Sequence, residues 1–345
     1  MDKRIAIIGA GAMGGYFGGQ MAQAGMDVVM FDAWPEHVET VRRDGLSLEE
    51  LDSDARAVVH PDIRHLSQVQ ELIREHPVDI AFIAVKSYDT RWATEMILPY
   101  MARDGAIVSL QNSFNEPEIA QIAGPSATFG CAIAALACDM IAPGRIKRMS
   151  PRGHVNVGAM DPARIGACDG IARALAHAED VDVMQDLPGI KWSKLVVNSM
   201  RNGLSGMTGM TGLERDTTPV TIELGMRLGA QTVRVGRALD YGLVDTAYSF
   251  DALVAAEDGD TGAAAEIRAA MARIAGGRSA DQRPSMAQDI RKGRRTETDA
   301  INGLVARRGQ EMGIDCAPHE KVHRIIRRIE RGELSPAPEL AEGIL

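Results

Sequence analysis

Apolar and polar residues follow two different rhythms along this chain of 345 residues. In the first half, short unbroken apolar runs recur between amphipathic stretches. They are "RIAIIG" (4–9), "DVVMF" (27–31), "DIAFIAV" (79–85), "AIVSLQ" (106–111) and "TFGCAIAAL" (128–136). Runs without alternation predict strands covered on both faces, since a strand with one wet face would carry a polar residue at every second position. The segments between them, around 13–25, 35–43, 66–75 and 89–101, carry the 3.6-residue period of helices. This alternation predicts an α/β fold on a doubly wound parallel sheet of the Rossmann type. After residue 140, "GRIKRMS" and "HVNVGAM" predict a hairpin extending the sheet, followed by a helix in "PARIGACDGIARALAHA" and a short strand, "VDVM".

From Pro188 the rhythm is helical only, through 190–204, 218–241, 262–275, 285–310 and 318–332. The change at "QDLPG" predicts two domains: a dinucleotide-binding Rossmann domain over 1–187, and an all-helical substrate and catalytic domain over 188–345. Within the helical half, "AAEDGDTGAAAE" (255–266) and "GGRSADQRP" (276–284) read as loops, and the tail "SPAPELAEGIL" as weakly ordered.

Composition narrows the choice of partners. A formal charge of -9 disfavours nucleic acid, which needs a net basic face. The basic run "IRKGRRTE" reads as a solvated helix face. Cys131, Cys138, Cys168 and Cys316 fall in no CxxC or Cys/His zinc spacing, so no metal is expected and the thiols point to a reducing cytosol. The chain shows no secretory signal and no apolar stretch of membrane length, which makes a soluble cytoplasmic protein the expectation. The exposed faces of long apolar helices point to a homodimer.

The first strand runs into "IIGAGAMG", with Gly9, Gly11 and Gly14 at the fingerprint spacing and Ala12 and Met13 opening the next helix. Gly9 permits the tight turn, Gly11 lets a pyrophosphate approach the backbone, and Gly14 lets helix and strand pack closely. Asp32 ends the second strand. A carboxylate there accepts the ribose hydroxyls of NAD and repels the 2′-phosphate of NADP, so NAD is favoured over NADP. The competing role for Asp32 is a cap on the following helix. Lys86 and Asn112 follow later strands, where open α/β sheets bind ligands; a surface lysine and a turn asparagine are the plain alternatives.

In the helical half, "KWSKLVVNSMRNGL" sets Lys194, Asn198 and Asn202 four apart among Leu195, Val196, Val197 and Met200. Spacing by four puts an ammonium and two carboxamides on one side of a core-forming helix, where burial is costly unless they are partnered. Downstream, "PSMAQDIRKGRRTETDAING" carries Ser285 and Glu297, three helical turns apart and on similar faces if the helix is continuous. Ser285 also suits a helix N-cap.

Together "GAGAMG", "VKSYDT", "QNSFNE", "KWSKLVVNSMRNGL" and "PSMAQDIRKGRRTETDAINGLV" resemble the ketopantoate reductase (2-dehydropantoate 2-reductase) family, in the family's order and across most of the chain. The resemblance implies a Rossmann domain followed by a helical domain, with both contributing to hydride transfer between a nicotinamide and a small 2-oxo or 2-hydroxy acid. It makes Lys194 the general acid and base, oriented by Glu297. Asn198, Asn202 and Ser285 would then hold the substrate, with Lys86 and Asn112 beside cofactor and substrate. The chain departs from the family pattern at Ser113, where a glycine is usual, at Gln282, where an asparagine is usual, and at Asp32–Ala33, where a basic residue usually holds the phosphate of NADPH. These departures leave open an NAD-dependent dehydrogenase of a different hydroxy acid in a catabolic route. The 3-hydroxyisobutyrate dehydrogenase group and a dinucleotide-sensing regulator without chemistry are more distant readings. "SMAQDIRKGRRTE" argues against the first, and a regulator would leave Lys194, Ser285 and Glu297 unexplained.

Overall fold

The computed structural model describes residues 3–51, 56–277 and 282–345, which divide into two compact units, Met1–Leu187 and Pro188–Leu345. The first unit holds twelve strands among the described residues: β1 (Ile5–Ile8), β2 (Val28–Asp32), β3 (Leu46–Glu49), β4 (Arg56–Val59), β5 (Asp62–His65), β6 (Val78–Ile83), β7 (Met101–Ser109), β8 (Thr128–Ala134), β9 (Cys138–Ala142), β10 (Arg145–Arg148), β11 (His154–Ala159) and β12 (Asp180–Val183). Eight form one sheet in the order β12-β11-β8-β7-β6-β1-β2-β5, parallel from β8 to β5, with β11 antiparallel to β8. Its helices are α1 (Ala12–Gln23), α2 (Pro35–Asp44), α3 (Thr90–Ile97), α4 (Glu116–Ala123) and α5 (Cys168–Leu175).

The unbroken apolar runs have the expected cause. Successive side chains of a strand point to opposite faces. Ile5 and Ile7 of β1 thus join Phe17, Met30, Phe82, Val108 and Phe129 in one core, and Ala6 and Ile8 join Val29, Phe31, Ile83, Ile97 and Ile107 in the other.

Two expectations for this unit need correction. The segment 66–75 is a 3₁₀ helix, Leu66–Arg74. The hairpin after residue 140 does not form: β10 pairs with β9 and β3 in a second sheet of order β4-β3-β10-β9, while β11 alone joins the main sheet. Packing on α1 explains the split. Ile146 of β10 is fully buried where a β-carbon on Gly15 would lie 2.4 Å from its Cδ1, and Arg148 donates to the Tyr16 hydroxyl at 2.8 Å and pairs with buried Glu179 at 2.9 Å. Tyr16 in turn donates to Glu179 at 2.7 Å.

The second unit has helices and no strand among its described residues: α6 (Leu187–Thr208, starting at the boundary), α7 (Gly212–Thr217), α8 (Pro219–Ala238), α9 (Phe250–Glu257), α10 (Thr261–Gly276), α11 (Ser285–Arg291), α12 (Asn302–Glu311) and α13 (Ala317–Glu330). Val196 and Met200 of α6 share a core with Val233, Phe250, Leu253, Ile267 and Met271. At Gly203 a β-carbon would lie 2.5 Å from Asn302 Oδ1 and 2.6 Å from Val322 Cγ1, so this glycine lets α12 and α13 close on α6. No described helix is long and apolar enough to cross a membrane.

Here too the sequence reading is corrected. The loop expected over 255–266 is mostly helix, because α9 and α10 flank a tight turn at 258–260. Residues 278–281 of the second expected loop lie outside the described residues. The tail is packed: Ala341 and Ile344 are buried, and the Ala337 N–H donates to the Met207 carbonyl at 3.0 Å. The continuous helix expected over 285–310 stops at Arg291. Gly293 takes a positive φ of 63°, the Arg294 N–H donates to the Asp289 carbonyl at 2.8 Å, and the chain turns, a glycine-terminated Schellman ending. The basic residues Lys292, Arg294 and Arg295 consequently lie on an exposed turn and not on a helix face.

A buried imidazole joins three helices of this unit. His319 of α13 is completely buried, with Nε2 3.0 Å from the Leu228 carbonyl and Nδ1 3.1 Å from Asn302 Nδ2. A carbonyl only accepts, so Nε2 carries the proton and Nδ1 accepts from Asn302. Burial holds the ring neutral and pushes its pKa down to about 4. Between that value and the ordinary pKa of about 6.5, the unfolded chain binds a proton that the folded one does not. The resulting stability is complete above pH 6.5 and is lost as pH falls toward 4, on the order of 3 kcal/mol for a group this deeply buried. Denaturant unfolding of the intact chain at neutral pH and near pH 4.5 should show this loss, and His319→Gln should flatten the dependence. An unchanged pH dependence in the variant would assign the acid sensitivity to other groups.

Candidate active site

Register along the parallel sheet brings four of the expected residues to one edge. Ile8 of β1 pairs with Phe31 of β2 and Ile83 of β6, and Ile83 pairs with Ser109 of β7. Gly9 and Asp32 come directly after these pairs, and Lys86 and Asn112 come three residues after theirs, in the loops that leave β6 and β7. Strand order therefore places all four at the carboxyl ends of the sheet, in the order Asn112, Lys86, Gly9, Asp32.

Each glycine of the loop has a distinct physical reason. Gly9 has φ of 96°, and its N–H donates to the Phe31 carbonyl at 2.8 Å; a β-carbon would lie 2.9 Å from Val85. At Gly14 a β-carbon would lie 2.0 Å from the Gly9 carbonyl oxygen, a distance no side chain tolerates. Gly11 differs: a β-carbon there would meet nothing within 4 Å. Gly11 also caps α1, whose start has no side-chain cap and no acidic residue in the first turn, made by Ala12, Met13 and Gly14. An open approach to uncapped N–H groups at the positive end of a helix fits the pyrophosphate of a dinucleotide.

Asp32 is half-buried at the end of β2, and its Oδ1 accepts the Trp34 N–H at 2.9 Å. It thus holds a turn; the cap position of α2 belongs to Trp34, with Pro35 opening the helix. Sequence reasoning missed His37, which is fully buried. Its Nδ1 accepts the Gly144 N–H at 2.9 Å, which places the proton on Nε2 for donation to the Ala10 carbonyl at 3.1 Å. Burial lowers its pKa, against a smaller opposing pull from Asp32. The signal was the "WPEH" directly after the second strand, which places a histidine one turn into α2.

Lys86 follows Val85, the residue against Gly9, and precedes a short 3₁₀ turn, Ser87–Asp89. Gln111 donates to the Val85 carbonyl at 2.9 Å and to Thr90 Oγ1 at 2.8 Å, and Asn115 donates to the Asn112 carbonyl at 2.7 Å and to Ser87 Oγ at 3.2 Å. This stitching, also missed in the sequence, ties the loops carrying Lys86 and Asn112 together. Ser113 is buried at a φ of 70°, in the left-handed region that favours glycine. The serine keeps a glycine's conformation.

The helical unit gathers its own set. Lys194 and Asn198 are half-buried and Asn202 is buried along α6. One turn beyond Asn202, a β-carbon at Gly206 would lie 3.1 Å from Met286, so Ser285 begins its helix beside the end of the stripe. Ser285 is the first residue of α11, whose cap is Pro284, so it is not the N-cap that its sequence allowed. Glu297 does not share a helix with Ser285, because Gly293 ends α11. It sits buried in the turn before α12, clamped from both sides: the Thr296 N–H and hydroxyl donate to Glu330 at 2.7 and 2.6 Å, and Asp299 accepts from His323 at 2.7 Å. Asn302, at the end of this turn, donates to the Ser199 carbonyl at 3.2 Å and anchors it to α6. Asn198 Nδ2 is buried and has no hydrogen-bond partner among the described residues. These residues contain no group of three or more His, Cys, Asp or Glu able to hold a metal.

Comparison with known proteins places the chain among the nicotinamide-dependent oxidoreductases acting on keto or CH–OH groups. More narrowly, it belongs to the ketopantoate reductase family. Residues 5–162 match ketopantoate reductase PanE/ApbA, and residues 186–330 match the C-terminal part of the same family. A 2-dehydropantoate 2-reductase of Archaeoglobus fulgidus is 28% identical over 336 residues, covering 96% of this chain and 99% of that protein. The crystal structure of a PanE/ApbA family ketopantoate reductase from Ralstonia eutropha JMP134 is 27% identical and superposes with a TM-score of 0.78, covering 96% of this chain and 99% of that one. D-mandelate dehydrogenase in complex with NADH and anilino(oxo)acetate shares the fold at a TM-score of 0.81 and 21% identity, over 95% and 98% of the two chains.

The Ser113 conformation is testable through stability. A side chain at positive φ costs about 1 kcal/mol, and a β-branched one costs more. Ser113→Gly should leave the melting temperature unchanged or higher, and Ser113→Val should lower stability by on the order of 2 kcal/mol. A valine variant as stable as wild type would contradict the left-handed assignment.

Proposed function

We propose that the enzyme transfers a hydride between NAD and the carbonyl or hydroxyl carbon of a small 2-oxo or 2-hydroxy acid, with 2-dehydropantoate and pantoate as the leading pair. The carrying observation is the α6 stripe, above all the Asn198 Nδ2 buried without a partner among the described residues. A buried donor left unmade costs about 1–3 kcal/mol, a cost that a ligand oxygen removes. Asn202 and Ser285 supply further neutral donors, suited to a carboxylate and hydroxyl.

When bound, the reduced nicotinamide supplies the hydride to the carbonyl carbon. Lys194 is assigned the proton: as the carbonyl electrons move to oxygen, its Nζ donates to that oxygen and later regains a proton from solvent. In oxidation the same amine accepts the hydroxyl proton. An ammonium aimed at charge that appears mainly in the transition state raises turnover more than substrate affinity. Glu297 is assigned to orient this ammonium, and its clamped turn suits that role. Gly9, Gly11, Ala12, Met13 and Gly14 would cradle the pyrophosphate, with Lys86 and Asn112 beside cofactor and substrate. Asp32 favours NAD: a 2′-phosphate against this carboxylate meets repulsion of a few kcal/mol at an effective dielectric of about 20.

Asp32 also supports a second reading with the same machinery, an NAD-dependent dehydrogenase of another hydroxy acid in a catabolic route. D-mandelate dehydrogenase shares the fold and binds NADH in its own structure. A homodimer is the expected assembly; a dimeric ketopantoate reductase from Staphylococcus aureus shares the fold at a TM-score of 0.71. A cytoplasmic location fits the four cysteines, Cys131, Cys138, Cys168 and Cys316, which form no disulfide.

Steady-state kinetics on Lys194→Ala should show turnover reduced by about a hundredfold or more, with cofactor affinity unchanged. A folded variant with near-normal turnover would remove Lys194 from the chemistry. Assays across 2-oxo and 2-hydroxy acids separate the two substrate readings.

Calorimetric titration should show tighter binding of NADH than NADPH, with Asp32→Ala narrowing the difference. Equal or tighter NADPH binding by the wild type would overturn the role given to Asp32.

A further inference from the structure

The turn after β2 carries a feature that neither the glycine loop nor the Asp32 carboxylate requires. Trp34 is 37% exposed, and its indole stacks on the His37 imidazole at a centroid distance of 6.1 Å and an interplanar angle of 24°. The ring beneath it is anchored: His37 is fully buried and bonded through both nitrogens, to the Ala10 carbonyl of the glycine loop and to the Gly144 N–H. The backbone around Trp34 is equally constrained. Its N–H donates to Asp32 Oδ1 at 2.9 Å, and its carbonyl accepts the Val38 N–H at 3.1 Å. His65 donates from Nε2 to the Ala33 carbonyl at 3.2 Å, its Nδ1 being occupied by the Ser67 N–H. An aromatic ring is thus fixed on the surface with one face covered by a rigid partner.

Its place along the edge matches the order of groups in a nucleotide. The glycine loop, proposed to take phosphate, is bonded to the end of β2 through the Gly9 N–H, which donates to the Phe31 carbonyl. Asp32, proposed to take the ribose hydroxyls, follows, and Trp34 comes two residues later. Phosphate, ribose and base succeed one another in the same sense in an adenylate. We propose that Trp34 is the platform on which the adenine ring of the dinucleotide stacks. The proposal rests on the dinucleotide reading of the loop and adds to it the residue that recognises the base. Stacking is tolerant of ring identity, so Trp34 contributes affinity for the adenylate half of NAD and NADP alike, and leaves the choice between them to Asp32.

The test uses the full chain and three ligands in calorimetric titration: NADH, AMP and nicotinamide mononucleotide. Trp34→Ala should weaken AMP and NADH by about tenfold, Trp34→Phe should keep most of the affinity, and neither should alter binding of the mononucleotide. In a Trp92→Phe background, where Trp192 is buried, AMP should also quench the emission of Trp34. If Trp34→Ala binds AMP and NADH as the wild type does while Gly11→Val abolishes both, the platform is wrong and the dinucleotide reading stands. Equal weakening of all three ligands by Trp34→Ala would mark a loosened loop and also overturn the platform. A wild-type protein that binds neither AMP nor NADH would remove both readings together.

Discussion

The first unit is organised by one steric constraint: the backbone of α1 passes so close to the turn after β1 that Gly14 has no room for a β-carbon beside the Gly9 carbonyl. That approach aims the start of α1 over the ends of the strands. Beside it Gly9 turns at a positive φ, and no side chain caps the start of α1. His37 secures the same turn from its other side by holding the Ala10 carbonyl. In the proposed role as a phosphate cradle, this loop would need no cationic side chain, because N–H groups and the helix dipole supply the positive potential.

In the second unit the organising feature is the mixed character of α6. Val196 and Met200 commit the helix to the core, and Gly203 admits α12 and α13. A helix held that firmly keeps its polar stripe rigid as well. In the proposed substrate role, Lys194, Asn198 and Asn202 would start from a backbone already fixed by packing, which makes a site on a packed helix more exact than one on a loop.

Much of the main sheet was legible because β1, β2, β6, β7 and β8 are covered on both faces and so read as continuous apolar runs. The second sheet was not. Its strands are four or five residues long, and "RIKR" and "LSLE" carry their core contact on one or two residues each. Nothing local distinguishes them from turns until Ile146 finds its place against α1. The glycine fingerprint was readable because its steric reasons are local. The stitching by Gln111, Asn115 and Thr90 depends on loops brought together by strand order, which periodicity does not contain. The stop at Gly293 could have been read from a glycine after a basic helical segment, but the continuing periodicity masked it. At Ser113 the departure was visible in the sequence; that it preserves a glycine conformation needed the backbone.

The break at Gly293 has a consequence for how the segment can change over time. In an uninterrupted helix, one inserted or deleted residue would swing Glu297 by about 100° around the axis. Here α11 ends before Glu297, and the carboxylate is located by Thr296, Asp299 and Asn302, which grip α13 and α6. The exposed stretch between Lys292 and Arg295 can lengthen or shorten as slack between two fixed points. The carboxylate would keep its address while the rim beside it was rewritten.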